Sequence, residues 1–561
     1  MKKLFVLLLL TAALFVTPVF ADTSDPTTGD PSTGDPTTGE EQQPYVITVS
    51  SADELSKVLS SEPGANGPVI VQFTEGTVVS DSIYVPYNVT LDLNGGTLNG
   101  YVDLEGDNSS IINGTINKGG ISVRSNDSGG TISGVTIKNA PEMGIEINGG
   151  KIGDITDNTI LSSKYHAIRL YNGVAGDITG NTLTDCRGDG ISVYNGSHCG
   201  KISRNTLTNI GGADSKDNGD YGITINAHST QKTYASEITY NKINGVTFAG
   251  IVVHSAPEGK TGSSYKDKGY VTGDIAYNTV NKAGTYTKNK ECQAAIYIDN
   301  YATVNGAIHH NKISASQDDG ISVIKHSHVK TIYSNTVKSV KHAGIAVKDN
   351  SYVSGDIKGN TVTSPKEHGI FVNNKSNAKG SIISNKVSKP GVNGIFVANS
   401  ATANIIKKNT VTGAKLYGVI AGNKSKINKL QNNTISVNQA KKGMGVISNT
   451  GCVISNISGN KISGKYTVGI RIIAAKKKIT VTKNTITAGN PSGVWSRGIS
   501  ANNCSKLVIT KNKITGNKTG PGIYVPSCKG KFSGNKISKS TSKISRSAVG
   551  QRPNQPTTAV C

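Results

Sequence analysis

Residues 355–372 read GDIKGNTVTSPKEHGIFV. Three short β-branched runs lie within them, around Ile357, Thr361–Thr363 and Ile370–Val372, separated by Gly, Asn, Ser and Pro. Apolar and polar residues alternate with the period of a strand rather than of a helix. The pattern recurs along the chain. An Asn-(Thr or Lys)-(Ile, Leu or Val) phrase places Asn at 158, 181, 205, 241, 278, 311, 335, 360, 385, 409, 433, 460, 484, 512 and 535, most often 23 to 25 residues apart. A Gly-Ile-x-Val phrase precedes most of these, as at Gly190-Ile191-Ser192-Val193, Gly320-Ile321-Ser322-Val323 and Gly522-Ile523-Tyr524-Val525. A Gly-Asp-Ile phrase, as at 176–178 and 355–357, falls about five residues before the Asn.

One such unit is too small to close a core, so the units must stack. If each makes one turn of a coil, every strand pairs with its copy at a spacing of ~4.8 Å, and the Ile and Val positions become inward columns. The repeated Asn then stacks on itself and satisfies buried amides along the axis. The expected fold is all-β: a right-handed parallel β-helix solenoid with three short strands per coil. Ser51-Ala52-Asp53-Glu54 is a capping box that opens an amphipathic turn with Leu55, Val58 and Leu59, read as an N-terminal helical cap over the open end. Residues 45–120 hold this cap and irregular first coils, and the solenoid is expected over 45–540.

Outside it, Lys2-Lys3, the apolar run Leu4–Val16 and Val19-Phe20-Ala21 have the form of a secretory signal, giving a peptide over 1–21. Residues 22–44 repeat D-P-(T or S)-T-G and form a linker that cannot bury a core. Residues 541–561 read as a disordered tail. No run approaches the ~20 apolar residues of a membrane helix, so a secreted or cell-surface-associated monomer without a membrane anchor is expected.

The last acidic residue is Glu367; residues 371–561 carry 27 Lys and 4 Arg, a formal +31. Such a field attracts polyanions, outside a cell an anionic polysaccharide or cell-wall polymer. Nucleic acid is disfavoured by the scarcity of aromatics in that stretch and by export. Of seven cysteines, Cys504 and Cys528 each lie six residues after a phrase glycine, Gly498 and Gly522. Stacked one coil apart, they are expected to form a disulfide.

The three-strand coil, the Asn turn and the helical plug resemble the pectate-lyase-like superfamily, and the text is similar to bacterial right-handed β-helix repeat proteins of the NosD-like type. The resemblance covers about residues 45–540. It implies an active cleft over the strand carrying Gly-Ile-x-Val, and it is weak for chemistry because this fold hosts many activities. Asn-to-Asn spacing jumps to 36, 37 and 33 between Asn205 and Asn311, with extra residues at Gly211–Asp220, Ser255–Tyr270 and Ala283–Gln293. All flank one face, as loops that wall a groove would.

On that strand the Ile and Val point inward, so the third and fifth positions of the phrase point outward. The fifth position reads Tyr194, Asn226, His254, Asp299, Ile324, Lys348 in successive coils. His254 and Asp299 are therefore expected side by side, fit for general acid–base work. Tyr194 and Tyr297 are candidate platforms for sugar rings, and Asn226 and Arg169 lie on the same face. A second group stands at the strand entrance: Asp189, Asp220, Asp318-Asp319, His342 and His368. Paired carboxylates followed one coil later by His resemble the polygalacturonase arrangement, in which two carboxylates cleave a glycosidic bond. The chain departs from that family: the coil before Asp318 reads Gln293-Ala294-Ala295 instead of Asn-Thr-Asp, and the Arg-Ile-Lys triplet is absent. The Asp-Pro-His motif of mannuronan epimerases is absent too. Asp-Gly is also an ordinary turn signal. A calcium-assisted lyase would need clustered carboxylates and an Arg or Lys base. The cofactor therefore stays open, with calcium the one to test.

Two functions follow. One is cleavage of an acidic polysaccharide, by a lyase or hydrolase, in a groove over coils 190–320. The other is non-catalytic adhesion to anionic polymers through the basic C-terminal half.

Overall fold

The computed structural model describes residues 44–212, 220–255, 264, 266–285, 293–489 and 495–546. The expected signal peptide and nearly all of the linker lie outside the described residues. So do the tips of the three insertions (213–219, 256–263 and 286–292), and the groove walls expected there fall with them.

Over the described residues from Pro44 to Arg546 the chain is an all-β parallel solenoid of about 20 right-handed turns. A regular coil holds three strands, such as Ile191–Tyr194, His198–Ser203 and Thr206–Ile210. Each pairs in parallel with its copy in the next coil, here Ile223–Asn226, Thr233–Thr239 and Lys242–Val246. The first strands, which carry Gly-Ile-x-Val, form one sheet running from Ile83–Val85 to Ile544–Ser545. Ile223, Ile251, Ile296, Ile321 and Ile345 are consecutive Cα partners in it, all fully buried. A methyl group on the preceding glycine has no room. At Gly344 it would lie 2.3 Å from Val362 Cγ1 and 2.8 Å from the Gly369 carbonyl oxygen.

The fifteen Asn form one ladder. Asn335 Nδ2 donates to Ile308 O at 2.8 Å and to Asn360 Oδ1 at 3.0 Å, while its backbone N–H donates to the same Oδ1 at 2.9 Å. Asn311 repeats this toward Asn335. The residue before each ladder Asn is left-handed, including Tyr240 (φ 61) and Tyr277 (φ 60). That turn aims the Asn side chain inward and leaves its predecessor outside.

The helix Ala52–Ser60 buries Leu55 and Leu59 against the core. Its cap differs from the expected box in one bond. Ser51 Oγ accepts from the Glu54 N–H at 3.2 Å, but Glu54 Oε2 accepts from the Ser50 N–H at 2.7 Å, one residue early. At the other end, Ile544–Ser545 pairs with Ile523–Tyr524, so residues 541–546 continue the solenoid where tail was expected.

The expected Cys504–Cys528 disulfide is absent: both are free thiols, as are Cys186, Cys199 and Cys452. The axial register is right, because the Cys504 N–H donates to Cys528 Sγ at 3.3 Å and Ile499 pairs with Ile523. Both side chains turn to the core, Cys504 buried in it and Cys528 packed against it, and the two remain neighbouring thiols.

Candidate functional site

The outer face of the first sheet carries the charged residues, and register fixes their order. Tyr194, Asn226, His254 and Asp299 are successive Cα partners. His254 Nδ1 lies 3.4 Å from Asp299 Oδ2, and Lys325 Nζ lies 3.5 Å from the same oxygen. The expected pair is therefore assembled, but it is not on an open floor. The Asp299 side chain is 2% exposed and the His254 side chain 16%. Asp299 Oδ1 is buried without a hydrogen-bond partner. The expectation that both point to solvent is corrected for Asp299: Lys325, beyond the end of the next strand, covers it.

Tyr297 is corrected likewise. It is buried with Ala249, Val252 and Ala294, against Tyr221 and Ile324, so no ring face is offered to a sugar. The outward third position is filled by a small second apolar cluster. Tyr194 stacks between Tyr171 at 5.7 Å and His228 at 5.6 Å, which occupies both its faces. Asn226 Oδ1 is buried without a partner. Arg169 Nη1 lies 3.4 Å from Glu146 Oε1 and its guanidinium covers Tyr171, so its charge is already engaged.

The strand-entrance residues divide into two groups. Asp189 and Asp220 are both buried. Asp189 Oδ1 accepts the Tyr221 N–H at 2.8 Å, and His166 Nδ1 accepts the Asp189 N–H at 2.9 Å. Burial pushes the Asp189 carboxyl up to about 8 and pulls the His166 imidazole down to about 4. A buried carboxyl and a half-buried imidazole, both shifted toward their neutral forms and joined to the backbone, behave as structure, in keeping with the turn signal at Asp189-Gly190.

Asp318, Asp319, His342 and Lys348 form the second group. His342 Nδ1 meets Asp318 Oδ1 at 2.6 Å; the imidazole is 53% exposed. Asp319 is enclosed. It accepts from Lys348 Nζ at 2.7 Å, Ser322 Oγ at 3.1 Å and the Ala343 N–H at 2.8 Å. Burial works against charge on Asp318, but the His342 hydrogen bond and the Lys348 charge outweigh it and hold Asp318 below its ordinary range. For Asp319 burial wins and, with the charge of Asp318, pushes it up against the pull of Lys348. His342 is raised by its bond to Asp318, with Asp319 and Glu367 adding. The result is a His–Asp pair shifted toward its charged forms, with an exposed imidazole, beside a desolvated carboxyl that keeps its proton more readily.

One donor atom each from Asp318, Asp319 and His342 lie within 4.8 Å of one another. Calcium does not fit this set. It wants six to eight oxygen ligands, one of the three donors is nitrogen, and the Lys348 ammonium already holds Asp319. One coil further, His368 is buried against Phe371 and Phe396, with ring centroids at 4.9 and 5.1 Å, and its Nδ1 has no partner. Burial lowers it to about 4. Lys348 and Lys325 had no role in the sequence reading. Lys348 stood in the outward column, and its depth beside Asp319 depends on side-chain reach that a repeat does not encode.

These features define a right-handed parallel β-helix with a charged strip on the outer face of its first sheet. The chain matches the family model for the right-handed β-helix region over residues 94–235, 221–411 and 369–544, and it belongs to that family. No curated protein sequence matches it. Among solved structures it is similar to the Dettilon tailspike protein gp208, at 13% identity and TM-score 0.30, covering 72% of this chain and 62% of that one. It is also similar to a double mutant of the periplasmic alginate epimerase AlgG, at 12% identity and TM-score 0.33, covering 72% and 77%. The chain thus spans under two thirds of the tailspike's length.

Proposed function

We propose that the protein is secreted and cleaves glycosidic bonds of an acidic polysaccharide laid along the outer face of the first sheet, with His342 and Asp318 as the proton-transfer pair. The observation that carries this is the 2.6 Å His342–Asp318 contact, an exposed imidazole oriented by a carboxylate. Raised by Asp318, His342 favours its protonated form and can donate to the departing glycosidic oxygen. His254–Asp299, two coils away, is better placed to line the strip than to react, because Asp299 is enclosed.

Incubation with a panel of polyuronates tests this, with assays for new reducing ends and for ultraviolet-absorbing unsaturated products. The first product alone means hydrolysis and both together mean elimination. His342→Gln should lower turnover about 10²-fold or more while leaving the melting temperature near that of the wild type. Absence of either product on every polyuronate would leave the second reading, adhesion without catalysis. That reading is favoured by the stretch 371–561, with 31 basic residues and no carboxylate side chain.

A further inference from the structure

Six coils beyond Ile321–Val323 on the same face, the third position of the phrase is Arg471, in the strand Val468–Ile473. The next strand, Arg497–Asn502, opens with a second arginine. The Arg497 guanidinium lies 3.7 Å from the centre of Trp495 and 4.1 Å from that of Tyr524. Trp495 is the single tryptophan of the chain. The two rings meet at 70°, so the guanidinium can lie flat on only one of them, and its N–H edge is left for hydrogen bonds. That edge is mostly unused. One Nη donates to Ser500 Oγ at 3.3 Å, and Nε is buried with no partner. Beside it, the fully buried Asn517 amide has neither its oxygen nor its nitrogen bonded, and Ser496 Oγ is buried and unbonded too. Asn517 Nδ2 is 3.2 Å from where a Cβ on Gly498 would stand, which places it against the strand of Arg497.

Among the described residues no carboxylate side chain pairs with these cations. Glu367 is the last acid of the chain, four coils before Arg471. Burial depresses Arg497 to about 10, with Arg471 adding to the effect, and burial lowers Arg471 as well. Desolvated charge without a counter-ion is costly, and an anion supplied from outside relieves that cost.

We propose that Arg471, Arg497, Trp495 and Tyr524 form a subsite for one uronate unit, its carboxylate taken by the Arg497 edge and its ring set against the two aromatics. The subsite deepens the acidic-polysaccharide reading above and rests on it for the choice of a uronate. It lies roughly 30 Å along the axis from Asp318-Asp319, at ~4.8 Å per coil, so one chain could occupy both.

Trp495 makes the test direct. The full-length protein is titrated with oligogalacturonate, with a neutral malto-oligosaccharide of equal length and with inorganic sulfate, while tryptophan emission is followed. A saturable change with oligogalacturonate, none with the neutral chain, and a response roughly tenfold or more weaker in Arg497→Ala would support the subsite. Arg497→Lys keeps the charge but loses the planar edge, and should fall between the two. Equal responses to charged and neutral chains, or an Arg497→Lys protein of normal melting temperature that responds like wild type, would overturn it. A response to sulfate alone would reduce the site to an adventitious anion position and also overturn the uronate assignment. The catalytic reading is judged separately: His342→Gln should lose turnover yet keep the Trp495 response, so either claim can fail alone.

Discussion

At the scale of single residues, the chemistry depends on which acids keep their protons. His342 is raised by Asp318, so as a proton donor it works below its raised pKa, and turnover should fall as pH climbs through that value. Asp318→Asn removes the main cause of the elevation. The alkaline limb of kcat against pH should then move to lower pH, and a limb that stays in place would show that His342 is not the group read. Asp189 offers a check on stability. Its folded value, about 8, lies above the ordinary carboxyl value of 3.8 because of burial. Its contribution is fully present below about 3.8 and is lost as pH rises toward about 8. Asp189→Asn should therefore flatten the decline in stability between pH 4 and 8, as read by denaturant melts across that range. His166, lowered to about 4, acts oppositely: its contribution is present above 6.5 and lost as pH falls toward 4. The acid side of the profile should thus persist in the Asp189 variant.

At the scale of elements, the sequence was most legible where the chain repeats itself. The Asn phrase marked a hydrogen-bonded ladder, and Gly-Ile-x-Val fixed register well enough to place His254 beside Asp299 across insertions of unknown course. Depth was not legible. Tyr297 and Asp299 have outward parity, yet Tyr221, Ile324 and Lys325 cover them, and those residues belong to turns and neighbouring coils that no period describes. The Cys504–Cys528 register was legible, and the two residues stand beside each other as free thiols. The Arg471–Arg497 cluster had a signal that went unread: arginine at an outward position in a region without acids, next to the single Trp. The ladder itself can be tested. Asn335→Ala takes the side-chain donor from the Ile308 carbonyl, leaves Asn360 Oδ1 with only the backbone N–H of residue 335, and removes the acceptor of the Asn311 backbone N–H, while Asn311 Nδ2 keeps only Ile275 O. Each orphaned buried group costs about 1–3 kcal/mol. The variant should melt well below wild type while its polymer binding, measured when folded, is unchanged.

At the scale of the whole molecule, charge is divided along the axis. All 37 acidic residues precede residue 368, and every charged side chain from 371 onward is basic. A repeat converts such a bias into rows. Along the third strands of the coils, outward Lys386, Thr410, Thr434, Lys461, Thr485, Lys513 and Lys536 are successive Cα partners. Four exposed ammonium groups thus stand on one line along the coils. Each exposed charge alone is worth little, but a line of them matches a line of anions on a polymer. The full-length protein should therefore bind polygalacturonate with an affinity that drops steeply between low and physiological salt, since exposed charges are screened over ~10 Å at 0.1 M. Replacing Lys461, Lys513 and Lys536 together with Glu should weaken that binding without touching His342 chemistry on short oligomers, because the row and the strip occupy different sheets. The comparison of polymer with short oligomer decides the matter. If the triple variant loses affinity for both alike, the lysines belong to the reacting surface; if it loses only the polymer, they hold a long chain while another face works on it. Binding indifferent to salt and to the triple substitution would mean that the basic half serves solubility alone.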